Sequence, residues 1–92
     1  MSKELKIGLF GFGTVGRGLF ELLRDVPTAN VNIKKICVRD ITRDRGITAD
    51  FTDSPDDIFN DPEINFIVEL IDDADASFDI VSRALTKKLP VV

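Results

Sequence analysis

The chain has 92 residues, with 43% hydrophobic and 30% charged residues, which fits one small globular domain spanning residues 1–92. Its formal net charge of −4 argues against nonspecific nucleic-acid binding, because such binding requires a basic face. The absence of histidine excludes zinc sites and His-dependent catalysis within these residues, and no apolar run approaches the roughly 20 residues of a membrane span. A single cysteine fits a reducing compartment, so we expect a cytoplasmic location.

A short apolar strand at residues 5–10 leads directly into the motif Gly11-x-Gly13-x-x-Gly16. This spacing is typical of a dinucleotide-binding turn. Gly11 makes the tight turn off the strand, and Gly13 lets phosphates approach the backbone. Gly16 lets the next helix pack closely on the sheet. Because a strand precedes the motif and a helix follows it, the motif is a strong signal.

The residues after the turn adopt helical periodicity, with an apolar stripe from Val15 to Val26. We expect the amides of Gly13, Thr14 and Val15 to lie at a helix N-terminus, where free N–H groups and the helix dipole attract an anion. The Thr14 hydroxyl is a donor to that anion or a plain helix cap, and both roles can coexist. Phe12 is expected to be exposed at the turn, where its backbone matters more than its ring.

Residues 31–38 form the predicted second strand, and residues 40–53 are predicted to be a loop. Asp40 follows Gly16 by about the 20 residues at which dinucleotide folds place an acid for the ribose hydroxyls. Arg39 precedes it, and a guanidinium group suits a 2′-phosphate better than a carboxylate does. We therefore predict NADP as the cofactor, with NAD as the alternative.

The same stretch admits a purely structural interpretation, in which its arginines are solvated and pair with neighbouring acids. Arg43 and Arg45 would then pair with Asp40 and Asp44 at the surface, where such pairs contribute little. Arg17, in the first helical turn, is expected to be a surface charge rather than a phosphate ligand.

The remaining elements continue the alternation of strands and helices. The sequence predicts a short helix from Pro55 to Asn60, a third strand at 65–71, a third helix at 75–87 and a fourth strand at 90–92. This alternation predicts an α/β fold: a Rossmann-type, doubly wound parallel sheet in the order 3-2-1-4, truncated after the fourth strand. The ligand crevice would lie between strands one and four, and the chain would end as it enters the far wall. We therefore expect part of a larger protein.

Acidic residues cluster after the third predicted strand. Asp72, Asp73 and Asp75 are compatible with a metal site, but capping of the third helix by these acids is the favoured interpretation. Glu69 lies inside an apolar strand, where a charge requires a polar partner that the sequence does not identify. Cys37 is expected to be a small core residue.

Several segments together resemble the N-terminal NAD(P)-binding domain of homoserine dehydrogenase. The glycine turn is shared by many oxidoreductases, whereas the run Asn-Asp-Pro-Glu-Ile leading to Val-Glu-Leu-Ile is more particular to this family. The matching segments are residues 6–16, 38–40, 60–64 and 68–71, followed by the third helix and residues 90–92.

The resemblance implies an oxidoreductase that interconverts L-homoserine and L-aspartate 4-semialdehyde with NAD(P). By position, the pyrophosphate would be held by Gly11, Phe12, Gly13, Thr14 and Val15. Arg39 would face the 2′-phosphate and Leu70 and Ile71 would line the cleft, with Gly16 and Asp40 completing the predicted cofactor site. The full-length protein is expected to be a homo-oligomer that binds an amino-acid substrate, without nucleic-acid or membrane partners.

Two departures from the family pattern limit these expectations. Asp72 and Asp73 stand where the family often has two glycines, so added charge and Cβ atoms would weaken cofactor binding. The family's catalytic lysine lies beyond the matched segments, so we assign no catalytic residue and expect the 92-residue chain alone to be inactive. Two alternatives are a non-catalytic NAD(P)-sensing module and a methyltransferase-like domain for S-adenosylmethionine. The strict glycine motif and the arginines argue against the latter.

Overall fold

The computed structural model describes residues 4–26 and 30–92, which contain a four-stranded parallel sheet and three helices. The strands are β1 (Leu5–Phe10), β2 (Val31–Cys37), β3 (Phe51–Thr52) and β4 (Phe66–Glu69). The helices are α1 (Thr14–Asp25), α2 (Pro55–Phe59) and α3 (Ala74–Thr86). The sheet order is β3-β2-β1-β4, so the predicted doubly wound α/β fold with order 3-2-1-4 is confirmed.

The segments that form the two edge strands of this order, β3 and β4, differ from the segments predicted there. The strand beside β2 is Phe51–Thr52, which lies inside the stretch predicted to be a loop and pairs with Ile36 and Cys37. The segment predicted as the third strand pairs instead with β1 and is β4 of the structure. Val91 then bridges Ile67 on the outer side of β4. The expectation that the chain ends at the far wall of the crevice is therefore wrong, because β4 is that wall.

Apolar side chains form a cluster on each face of the sheet. One cluster packs α2 and α3 against the sheet and includes Phe10, Cys37, Ile58, Phe59, Ile64, Ile67, Ile80 and Ala84. The other includes Ile7, Leu9, Ile36 and Val38, with Phe20 and Leu23 of α1 packed against it. Cys37 is a core residue as predicted, and burial raises the pKa of its thiol to about 11. Within the described residues, no helix has the length and apolar character that crossing a membrane requires.

A bulge in β2 creates an ion cluster at the end of α2. The register of β1 against β2 shifts after Ile7, so that Lys34 is an extra residue in the ladder. The ammonium groups of Lys34 and Lys35 then both lie close to the Asp61 carboxylate, at 2.6 and 3.2 Å. Asp61 is nearly buried, and the hydrogen bond from Lys34 lowers the pKa of its carboxyl group to about 2.

This cluster predicts a specific loss of stability in acid. Because folding lowers the Asp61 pKa from 3.8 to about 2, its charge stabilises the fold above about pH 4, and this contribution is lost as the pH falls towards 2. We expect Asp61→Asn to lower the free energy of unfolding by about 1–3 kcal/mol at neutral pH. Urea unfolding at a series of pH values checks this. A difference from the unaltered chain that is undiminished at about pH 2 would contradict it.

Candidate dinucleotide site

The glycine turn is attached to both neighbours of β1. The carbonyl of Phe10 accepts a hydrogen bond from the Leu70 amide, and the Gly11 amide donates to the Cys37 carbonyl, each at 2.9 Å. Gly11 has a φ of +94°, and a Cβ atom there would lie 2.8 Å from the Leu70 carbonyl oxygen. Both the backbone conformation and the close approach of the next wall therefore require glycine at this position.

The third glycine of the motif brings α1 directly over the turn. Gly16 is buried, and a Cβ atom there would lie 2.8 Å from the Gly11 carbonyl oxygen. At Gly13 the situation is the opposite, since no heavy atom lies within 4 Å of the place where a Cβ atom would stand. The turn is therefore tight towards the protein and open on the side from which a ligand would approach.

The N-terminus of α1 carries free backbone donors. Gly13 is its N-cap residue in an extended conformation, and no side chain among the described residues caps it. The amides of Thr14, Val15 and Gly16 consequently lack the intrahelical partners available to later residues. Thr14 is the first helical residue, so its interpretation as a plain cap is wrong. The chain needs no side-chain cap there if an anion satisfies these amides.

The N-terminus of α3 differs in this respect. The side chain of Asp73 accepts hydrogen bonds from the amides of Asp75 and Ala76, at 2.9 and 3.2 Å. The favoured interpretation of the acidic cluster as a helix cap is therefore confirmed for Asp73. Its carboxylate occupies the position that an external anion would take at this helix, which leaves α1 as the better anion site.

The far wall of the crevice is held in place by Glu69. Its Oε1 accepts a hydrogen bond from the Ile71 amide at 2.5 Å, and its Oε2 accepts one from the Ser77 hydroxyl at 2.6 Å. These bonds supply the polar partners that the sequence did not identify. Leu70 and Ile71 are half-buried beside Gly11, so the structure brings both predicted cleft residues to the glycine turn.

The arginine loop, residues 39–46, follows β2 at the same edge of the sheet. Arg39 and Asp40 are both exposed there. The Asp40 carboxylate accepts hydrogen bonds from the Thr42 hydroxyl and amide, at 2.6 and 3.0 Å, and these bonds lower the pKa of its carboxyl group. Asp44 accepts a hydrogen bond from the Gly46 amide at 2.8 Å. Both acids therefore hold turns of their own loop.

A cavity of about 540 Å³ lies between α1 and the arginine loop. Its lining combines the glycine turn with charged side chains that sequence reasoning did not assign to a common site. The lining residues are Phe12, Gly13, Thr14, Arg17, Gly18, Glu21, Arg43 and Arg45. The cavity opens beside the free amides of α1, so an anion on those amides would lie at its edge.

Phe12 is half-buried, and the expectation that it is exposed is wrong. Its ring packs edge to face against Phe20 of α1 and Phe51 of β3, with ring centroids 5.9 and 5.4 Å apart. The reason is β3, which brings Phe51 under the glycine turn. The sequence signal for this contact is Phe51, an aromatic residue in the mostly polar stretch predicted to be a loop.

Comparison with known proteins identifies the relatives of this chain. A family model described as homoserine dehydrogenase, NAD binding domain, matches residues 11–92. The homoserine dehydrogenase of Helicobacter pylori is 30% identical over 95 residues, which cover 96% of this chain and 23% of that protein. The homoserine dehydrogenase of Bacillus subtilis is 28% identical over 100 residues, covering 98% of this chain and 23% of that protein.

Solved structures give the same picture. A crystal structure of S. aureus homoserine dehydrogenase matches with a TM-score of 0.87 and 31% identity, covering 99% of this chain and 26% of that chain. Homoserine dehydrogenase from Thiobacillus denitrificans matches with a TM-score of 0.81 and 30% identity, covering 97% of this chain and 23% of that one. The chain thus spans less than a third of the length of each of these relatives.

Proposed function

This chain belongs to the homoserine dehydrogenase NAD-binding domain family, and on that premise we propose that its glycine turn holds the pyrophosphate of NADP. The observation that carries the proposal is the uncapped N-terminus of α1 above an open Gly13. Its free amides and dipole complement two phosphate charges. The proposed pyrophosphate contacts are Gly11, Phe12, Gly13, Thr14 and Val15, with Gly16 setting the position of the helix.

The nicotinamide end of the cofactor is assigned to the crevice between β1 and β4. Leu70 and Ile71 line this crevice in the proposal, and their half-buried apolar side chains suit the face of a planar ring. A nicotinamide bound there supplies hydride transfer, while the protein supplies its position. Asp72 is exposed and Asp73 caps α3, so the charge of Asp73 is already matched by amides. This supports cofactor binding despite the acids at these positions.

The adenosine end is assigned to the side of β2, where Arg39 faces the 2′-phosphate. Arg39 is exposed two residues after Cys37, whose carbonyl accepts the hydrogen bond from the Gly11 amide. Asp40 is engaged with the Thr42 amide and hydroxyl, which reduces its availability to ribose hydroxyls. An exposed guanidinium next to an engaged carboxylate favours NADP over NAD.

For the whole protein we propose dehydrogenation of homoserine, as the name of its relatives states. The family resemblance implies L-aspartate 4-semialdehyde as the product and a homo-oligomer as the assembly. In this proposal the 92 residues contribute cofactor binding and no catalytic residue, so the isolated chain gives no turnover. A non-catalytic NAD(P) sensor is the second reading of the same site. Measurement of homoserine oxidation by the full-length protein separates the two, since a sensor gives none.

Substitution of Gly13 tests the cofactor site directly. Its φ of −80° is open to any residue and its Cβ position is empty, so Gly13→Ala should fold. The added methyl group would meet the pyrophosphate, and we expect NADPH binding to weaken about tenfold or more, as measured by calorimetric titration.

The matched control is Ser54→Ala, which alters the N-cap residue of α2, where the serine side chain makes no capping bond. It should leave NADPH affinity unchanged. Equal NADPH affinity in Gly13→Ala and the unaltered chain would overturn the assignment of the glycine turn to the pyrophosphate.

A further inference from the structure

A hydrogen bond connects the first turns of α1 to the arginine loop. The Arg17 side chain crosses the cavity and donates from Nη2 to the Arg45 carbonyl at 2.7 Å. Its guanidinium carbon also lies 5.3 Å from the centre of the Phe12 ring. Arg17 is therefore a half-buried connection between two elements, and the expectation of a plain surface charge is wrong.

The guanidinium group of Arg45 is held in a similar manner. Its Nη1 donates to the Arg43 carbonyl at 2.9 Å, and its guanidinium carbon lies 5.3 Å from the centre of the Phe51 ring. Because Phe51 packs edge to face on Phe12, one aromatic base carries both guanidinium groups. Fixing a charged group in advance reduces the entropy lost when it binds a ligand.

The charge balance of the cavity is positive. Three arginines line it, and Glu21 is the acid among the lining residues. The acids of the arginine loop, Asp40 and Asp44, accept hydrogen bonds from its own backbone amides. The Thr42 bonds are the largest cause of the lowered pKa of Asp40, and the charges of Arg45 and Arg43 contribute less to it. This arrangement favours a compact dianion, and a phosphomonoester presents oxygens that guanidinium groups bind in pairs.

We propose that Arg43 and Arg45 contact the 2′-phosphate of NADP in this cavity and that Arg17 is a positioning residue for Arg45. The inference rests on the proposed function and deepens it, since it adds Arg43 and Arg45 to Arg39 as residues that determine cofactor selectivity. Arg17 acts through the Arg45 backbone, so its removal loosens the loop without removing a phosphate contact. The 2′-phosphate is the chemical difference between NADP and NAD, and selectivity is therefore the relevant readout.

Titration of single variants with NADPH and NADH tests this. Loss of a charge-assisted hydrogen bond predicts that Arg45→Ala weakens NADPH binding about tenfold, while NADH binding changes less than about twofold. Arg43 is exposed and has little structural role, and Arg43→Ala should likewise weaken NADPH binding more than NADH binding. Arg17→Lys, which keeps a donor, should retain more NADPH selectivity than Arg17→Met. Arg83→Ala is the control, because Arg83 lies over Phe59 on the opposite face of the sheet.

Adenosine 2′-monophosphate and inorganic phosphate separate nucleotide recognition from general anion capture. The first should compete with NADPH much better than the second, and equal competition would overturn the inference. Equal weakening of NADPH and NADH in both Arg43→Ala and Arg45→Ala would also overturn it, as would selectivity that depends on Arg39 alone. In these cases the proposed function stands. Failure of the unaltered chain to bind either cofactor would instead overturn the proposed function and this inference with it.

Discussion

Replacement of Gly11 by alanine is expected to unfold or severely destabilise this domain and to abolish NADPH binding. The backbone conformation at φ +94° alone costs a residue with a side chain about 1–3 kcal/mol. In addition, the new Cβ atom would lie 2.8 Å from the Leu70 carbonyl oxygen, which is main chain and has no rotamer to change. Relief of that clash requires β1 and the crevice wall to separate, and separation breaks the hydrogen bond from Leu70 to Phe10.

Urea unfolding of Gly11→Ala, read by circular dichroism, measures the loss. Gly18→Ala is the matched control, since Gly18 lies within α1 and no atom would contact its Cβ within 4 Å. That variant should be more stable than the unaltered chain by about 0.5–1 kcal/mol, because alanine favours helix over glycine. Undiminished stability of Gly11→Ala would mean that the turn does not require its observed conformation.

Replacement of Glu69 by alanine is expected to lower the free energy of unfolding by about 1.5–3 kcal/mol, the usual contribution of hydrogen bonds to a charged group. The carboxylate joins the Ile71 amide to the Ser77 hydroxyl, and both lose their partner in the variant. The segment between β4 and α3 should then loosen, and NADPH affinity should fall together with stability. Hydrogen exchange at the Ile71 amide reports the local loosening directly.

Glu69→Gln provides the control for this prediction. A glutamine side chain keeps one oxygen that accepts from the Ile71 amide, and its amide NH2 group donates to the Ser77 oxygen. We therefore expect Glu69→Gln to retain most of the stability and most of the protection at Ile71. If Glu69→Ala and Glu69→Gln behaved alike and lost little, the two hydrogen bonds of Glu69 would not stabilise the crevice wall.

The parts of the fold that the sequence predicts correctly are those determined by local chemistry. Residues 5–10 are an apolar run that ends at Gly11, and the helix that follows has its own apolar stripe, so β1 and α1 have the predicted starts. The order 3-2-1-4 follows from the doubly wound pattern of parallel strands with right-handed connections, although the segments that form the third and fourth strands were assigned incorrectly. The glycine turn of the site was predictable for the same reason.

The missed features depend on partners that are distant along the chain. β3 has two residues, too few for any periodic pattern, and it is a strand because the ladder of β2 has room for Phe51 beside Ile36. A prediction that lacks β3 counts Phe66–Glu69 as the third strand and therefore places it beside β2 instead of beside β1. The burial of Phe12 and the contact of Arg17 with the loop follow from that same strand.

The peptide unit between Phe10 and Gly11 has a consequence for the thermodynamics of the domain. Its carbonyl and its amide bond to opposite neighbours of β1, so this one unit is shared by both halves of the sheet. A ligand that binds only the ordered turn adds its binding free energy to the pairing of both halves at once. Cofactor affinity and the cooperativity of unfolding are therefore linked properties, and a change that separates the two halves lowers both.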